Sequence, residues 1–314
     1  MRYALAPIIF LSLITGARAD FVRDHFVFPI VGSAAECITA EGIGLPDAKP
    51  ANFKTADEVE LIGFHLPPQD EKKPLILYFH GQGGFRPKHF EDLVKHGYGV
   101  MAFAYRGYHT SKGSPSEQDL LKDAEAIYAK ARETYLPERI VVMGESIGTG
   151  VATILASHHE EAALVLDSPY DNTPMIGWSR NFIPVFLSDF FVADKFHADD
   201  AIRNLKAPVF VSVGCKDGAI PHERGEALYE LAASPKKLIA GVCVNHIPLA
   251  SAEPHHTEEE KRERKEMLAK AMAWIDQPVN GGAREECPKT SPKCGEENAI
   301  PAPARAATPC AGGH

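Results

Sequence analysis

The sequence lacks an excess of positive charge. It carries 33 Lys and Arg against 42 Asp and Glu, a formal net charge of −9, and no stretch gathers basic residues into a stripe. An acidic surface repels phosphate backbones, so nucleic-acid binding is disfavoured. Long apolar runs are equally scarce. The exception is Ala4–Gly16, 13 residues, too short to cross a bilayer comfortably. Arg2 precedes it, and Ala17-Arg18-Ala19 follows it with small residues at the two positions that signal peptidase reads. Residues 1–19 therefore predict a Sec-type secretory signal, cut between Ala19 and Asp20, and a periplasmic or secreted protein. An uncleaved N-terminal anchor is the alternative. The segment has no twin arginine and no cysteine at the cleavage point, which excludes Tat and lipoprotein signals. No later segment approaches a membrane span, so none is expected once the signal is removed.

Cysteine is sparse. All six (Cys37, Cys215, Cys243, Cys287, Cys294 and Cys310) lie in the part expected to be exported. An even count in an oxidising compartment permits disulfides without assigning them. Cys215 and Cys243 end two strands expected to be neighbours, where a bridge would clamp the loops that follow. Two buried free thiols are the equal alternative. The other four could pair among themselves. Histidines are not interleaved with cysteines at ligand spacing, so no metal site is expected.

What is present is globular composition, 45% hydrophobic and 24% charged. Residues 20–56, broken by Gly42, Gly44, Pro46 and Pro50, read as an irregular N-terminal arm. From 57 to 277 the pattern changes. Strand-like runs at 59–66, 75–80, 100–105, 140–144, 164–167, 209–214 and 238–244 alternate with helical patterns at 116–134, 148–158, 222–233 and 257–275. Several strands are continuous apolar runs, as in parallel sheets buried on both faces. The alternation predicts right-handed βαβ crossovers and a three-layer α/β domain. An aromatic-rich stretch, about 171–200, interrupts it as a cap. Residues 278–314, rich in Pro, Ala and Gly, have no apolar period and are expected to form a disordered tail.

Gly144-Glu145-Ser146-Ile147-Gly148 matches G-x-S-x-G, after one strand and at the start of a helix. A sharp strand–turn–helix junction with small residues on either side lifts a serine hydroxyl above the sheet. The bland alternative is a glycine-rich turn with no chemistry. A serine hydroxyl needs a base to take its proton. Asp217 and His246 lie just past two later strands, at the carboxyl edge where sites form in open α/β sheets. A turn aspartate before Gly218 and a surface histidine are the ordinary readings of those two residues. Asp167, which ends the preceding strand, competes with Asp217 for the role of acid, but chain position and the order serine, acid, histidine favour Asp217. The loop His80-Gly81-Gln82-Gly83-Gly84 lets backbone N–H groups approach a reacting oxygen, and the N–H groups of Gln82 and Ile147 are the candidate oxyanion donors. A phosphate-binding loop is disfavoured, because no Lys-Ser/Thr follows. In the cap, Phe182, Phe186 and Phe190 recur every four residues. Together with Trp178 and Phe191 they either line an acyl pocket or pack the cap onto the body. Trp178, Phe182 and Phe186 are the candidate substrate contacts. The acidic start of the last helix, Glu258-Glu259-Glu260, reads as a solvated face suited to a helix N-terminus.

These segments resemble the α/β-hydrolase superfamily, and within it the branch of BEM46-like and ABHD13/ABHD17-like serine hydrolases. The resemblance is carried by Tyr78–Gly84, Ala104-Tyr105-Arg106-Gly107-Tyr108, Gly113–Glu117, Asp123-Ala124-Glu125-Ala126, the elbow at 144–148, Ala207-Pro208-Val209 and Gly214–Pro221. It covers about residues 55–275. It implies a Ser146–Asp217–His246 triad that hydrolyses an ester or thioester of a small or lipid-like acyl substrate without a cofactor. The export signal, the arm and the cysteine-bearing tail depart from the pattern, and the intracellular depalmitoylase activity of animal members is not carried over. A non-catalytic binding protein on the same scaffold, or a peptidase using the same triad, remains the alternative.

Overall fold

The computed structural model describes residues 23–30, 38–86, 88–176, 190, 192–232, 236–242, 244–249 and 256–276. The expected signal segment, most of the cap, Cys243 and the C-terminal tail lie outside the described residues.

The described residues form ten strands: β1 (Lys49–Pro50), β2 (Phe53–Lys54), β3 (Glu60–Leu61), β4 (Gly63–Leu66), β5 (Leu75–Phe79), β6 (Gly99–Phe103), β7 (Ile140–Glu145), β8 (Ala163–Asp167), β9 (Val209–Gly214) and β10 (Lys236–Val242). Eight of them form one sheet in the order β1-β4-β6-β5-β7-β8-β9-β10. The pairs from β6 through β5, β7, β8 and β9 to β10 are parallel, whereas β1 and β4 are antiparallel additions at one edge. Every residue of β5, β6, β7, β8 and β9 is buried. Helices cover both faces of those strands, which is why their sequences read as unbroken apolar runs.

Among the described residues, the α-helices are α1 (Glu91–Lys95), α2 (Glu117–Arg132), α3 (Gly148–His158), α4 (Ala198–Ala201), α5 (His222–Leu231) and α6 (Glu258–Ile275). Ser116 caps α2 by accepting the Asp119 N–H. Thr257 and Glu260 form a reciprocal capping box at the start of α6, satisfying N–H groups that the helix itself leaves unpaired. Helix α3 packs against β5, β7 and β8, and α6 packs against β9 and β10.

The N-terminal arm is irregular in outline, yet it belongs to the core. Val27, Phe28, Ile43 and Leu45 are buried, and Phe28 meets Phe196 edge-to-face at 6.0 Å. Lys49–Pro50 then adds a strand to the main sheet. Scattered apolar residues without a period still bury when the chain wraps a body that offers them a surface. Two of the motif segments are also structural. Arg106 Nε donates to Asp123 Oδ2 at 2.8 Å and its Nη1 to Asp57 Oδ2 at 3.0 Å, so one buried guanidinium ties the loop after β6 to α2 and to the β2–β3 turn.

Candidate active site

The elbow begins as a problem of space. A Cβ on Gly144 would lie 2.6 Å from the Gly148 carbonyl oxygen, and one on Gly148 would lie 2.3 Å from that of Phe79. Only glycine allows β7 to turn into α3 this tightly. The strain falls on Ser146, which takes φ +52°. This left-handed backbone is unusual for a residue with a side chain and is typical of functional turns. The Ser146 N–H donates to the Asp167 carbonyl at 2.9 Å, pinning the elbow to the end of β8.

The candidate base and acid meet the serine there. His246 Nε2 lies 2.9 Å from Ser146 Oγ, and His246 Nδ1 lies 2.6 Å from Asp217 Oδ2. The other Asp217 oxygen accepts the N–H groups of Ala219 and Ile220, both at 2.8 Å. Burial pushes the Asp217 carboxyl up. The hydrogen bond and charge of His246, the Ile220 N–H and the Ser168 hydroxyl outweigh that and hold it below the usual carboxylate range. The carboxylate fixes Nδ1 as the protonated nitrogen, which leaves Nε2 able to accept a proton from Ser146.

The base loop is held from two sides. Arg264 of α6, itself buried, donates to the backbone carbonyls of Ile247 (2.5 Å) and His246 (3.3 Å). From the sheet, Asp167 accepts the Leu249 N–H on both carboxylate oxygens at 3.2 and 3.1 Å, and it takes the Ser212 hydroxyl at 2.6 Å. Burial raises the Asp167 carboxyl to about 7, with nearby Glu145 adding to the rise. Asp167 therefore binds the backbone behind the base, while Asp217 binds its ring.

The glycine loop after β5 lies against Ser146. A Cβ on Gly81 would sit 3.2 Å from Ser146 Cβ. His80 is fully buried. Its Nδ1 lies 2.7 Å from the Gly81 carbonyl, and its Nε2 accepts the Tyr105 N–H at 3.0 Å. Burial holds this imidazole neutral, down to about 3. In a trans peptide the N–H points opposite to the C=O, so fixing the Gly81 carbonyl fixes the direction of the Gln82 N–H. The Gln82 side chain turns away to the Val27 carbonyl at 2.7 Å, bonding the loop to the N-terminal arm. Ile147 is buried at the start of α3. Beneath the elbow, Arg86 clasps Glu145 with two bonds of 2.8 and 2.9 Å, and Tyr78 donates to the same carboxylate at 2.5 Å. Burial alone would raise Glu145, but Arg86 and His89 hold it well below the usual range. This ion pair staples the far end of the glycine loop to the residue beside the nucleophile.

The structure thus brings together Ser146, His246 and Asp217, with Gln82 and Ile147 on the two segments flanking the serine. The candidate substrate contacts Trp178, Phe182 and Phe186 lie outside the described residues. Cys215 is disulfide-bonded, but Cys243, the partner considered from sequence, is likewise outside the described residues. Among the described residues, the group spaced to hold a cation is His197, Asp199 and Asp200, which contains none of the residues around Ser146. Reading the sequence missed His80, Arg86, Ser168 and Arg264. His80 and Ser168 could have been suspected from their places at strand ends, whereas Arg264 sits within a helix that read as solvated.

Comparison with known proteins agrees with this layout. A family model described as alpha/beta hydrolase fold matches residues 74–213, from just before β5 into β9. The lysophosphatidylserine lipase ABHD12 of Danio rerio is 33% identical over 200 residues, 57% of this chain and 52% of that protein, so the chain spans about half of that relative's length. An uncharacterized protein of Mycobacterium tuberculosis is 30% identical over 253 residues, 77% of this chain and 88% of that one. Among solved structures, the Pyrococcus furiosus esterase Pf2001 superposes with a TM-score of 0.59 at 20% identity, over 79% of this chain and 99% of that one, a likeness of fold alone. With one relative matched along most of both chains and the family match running through the central sheet and the elbow, this protein belongs to the α/β-hydrolase fold family.

Proposed function

We propose that the protein is an exported serine hydrolase that cleaves an ester or thioester of a lipid-like acyl group, with Ser146 as nucleophile, His246 as base and Asp217 as acid. The observation that carries this reading is the unbroken chain from Ser146 Oγ through both nitrogens of His246 to Asp217. In the first step Nε2 takes the hydroxyl proton while Oγ attacks the acyl carbonyl. Negative charge then gathers on the carbonyl oxygen, where the N–H groups of Gln82 and Ile147 would receive it. The imidazolium, stabilised by Asp217, returns its proton to the leaving alcohol or thiol, and an acyl-enzyme remains. Water then repeats the sequence and frees the carboxylic acid. None of these steps needs a metal or an organic cofactor.

The lipid-like substrate class rests on two supports. One is the relative described as a lysophosphatidylserine lipase. The other is the aromatic composition of residues 171–200. The narrower placement beside BEM46-like and ABHD13/ABHD17-like enzymes remains part of the proposal, as does export. The test is labelling of the exported protein with a fluorophosphonate probe, beside Ser146→Ala, followed by hydrolysis of p-nitrophenyl esters of increasing chain length. Labelling of the wild type alone, with rates rising toward long chains, supports the reading. A folded wild type that does not label would favour a binding protein on this scaffold, and a flat chain-length profile would remove the lipid preference.

A further inference from the structure

The residue after β8 occupies an unusual position. β8 lies between β7, which carries the elbow, and β9, which leads to the acid. Ser168 follows it directly, is 2% exposed and takes φ +52°. A buried serine held in left-handed backbone needs a reason, because glycine or asparagine would adopt that conformation with less strain. The reason lies in what its hydroxyl touches. Ser168 Oγ accepts the N–H of Ile247, the residue after the base, at 2.9 Å. The same hydroxyl adds to the groups that hold the Asp217 carboxyl below the usual carboxylate range. The Ser168 N–H donates to the Ser212 carbonyl on β9 at 2.9 Å, so the backbone beneath the hydroxyl is anchored to the strand that carries Asp217. Ile247 is also left-handed, at φ +55°. The base loop thus turns sharply at the point where Ser168 holds it.

We infer that Ser168 is a positioning residue, a fourth member of the Ser146–His246–Asp217 arrangement that sets acid against base by holding the base loop through its hydroxyl and the strand leading to the acid through its N–H. It touches neither substrate nor the reacting atoms. The inference rests on the proposed hydrolase reading only for its kinetic consequence, since the geometric role stands on the hydrogen bonds alone.

The experiment compares the wild-type chain with Ser168→Gly, and with Ser168→Ala as a second variant in case one fails to fold. Glycine suits the left-handed backbone, so Ser168→Gly removes the hydroxyl while relieving strain. Its thermal midpoint is expected to stay within error of wild type or to rise, while kcat for a p-nitrophenyl ester falls about 10-fold, the worth of the hydrogen bond lost from the base loop, and KM holds. The downfield proton resonance of His246 Nδ1–H is expected to shift or broaden. A purely structural role would lower the midpoint and leave kcat and the resonance in place. Unchanged kcat and an unchanged resonance in a folded variant would overturn the inference. A wild type with no hydrolase activity, whose resonance still moves in Ser168→Gly, would overturn the enzymatic reading and keep the positioning role.

Discussion

Two aspartates stand at the carboxyl edge of the sheet, one at the end of β8 and one just beyond β9, and their surroundings drive them apart. Both are nearly inaccessible to solvent. Asp217 receives the His246 ring and two loop N–H groups, and is held below the usual carboxylate range. Asp167 receives one hydroxyl and one N–H, lies near the Glu145 charge and is pushed to about 7. The residue type and sheet edge are the same, and the count of donors against the weight of burial decides which one can serve an imidazole. The one starved of donors serves the backbone instead.

The comparison is tested most severely by converting each aspartate to its amide. Asp217→Asn should lower kcat about 10⁴-fold on a soluble ester, because an amide no longer fixes the imidazole tautomer. Asp167→Asn should cost less than about 10-fold, since an amide oxygen can still accept the Leu249 N–H. Equal losses would collapse the distinction. Between these extremes lies Arg264→Met, which keeps the bulk but removes the donors to the base loop. It should lower kcat about 10-fold, with fluorophosphonate labelling slowed in proportion.

Stability against pH gives a finer reading. The folded state raises Asp167 from 3.8 to about 7. Between those values the folded chain keeps a proton that the unfolded chain has released, so this group's contribution to stability falls as pH rises toward 7. Asp167→Asn should flatten the decline of the thermal midpoint over that window. Asp217, shifted the other way, contributes stability that is lost as pH falls. Glu161, buried outside the site and raised to about 8, offers the smallest test. Glu161→Gln should raise the midpoint at pH 9 and leave it unchanged at pH 4.

The regular part of the fold was legible because it is written locally. Strands β5 to β9 are short apolar runs, and α2, α3, α5 and α6 carry helical patterns, two of them with caps spelled out by Ser116 and Thr257. The arm was less legible, since Val27, Phe28, Ile43 and Leu45 bury without any period. The helix α1 is too short to show one.

For the site, the sequence by itself singled out Ser146 and the order of its candidate partners, because the glycines of the elbow and the ends of strands are local facts. It favoured Asp217 over its competitor Asp167 by chain position alone, and it was silent on Ser168, Arg86 and Arg264. Those assignments depend on contacts between distant positions: Ser168 with Ile247 is a bond across 79 residues, and Arg86 with Glu145 one across 59. A hydrogen bond at that separation leaves no period or spacing in the chain. It exists only once parallel strands stack their ends along one edge, and that stacking decided which carboxylate stays ionised beside the base.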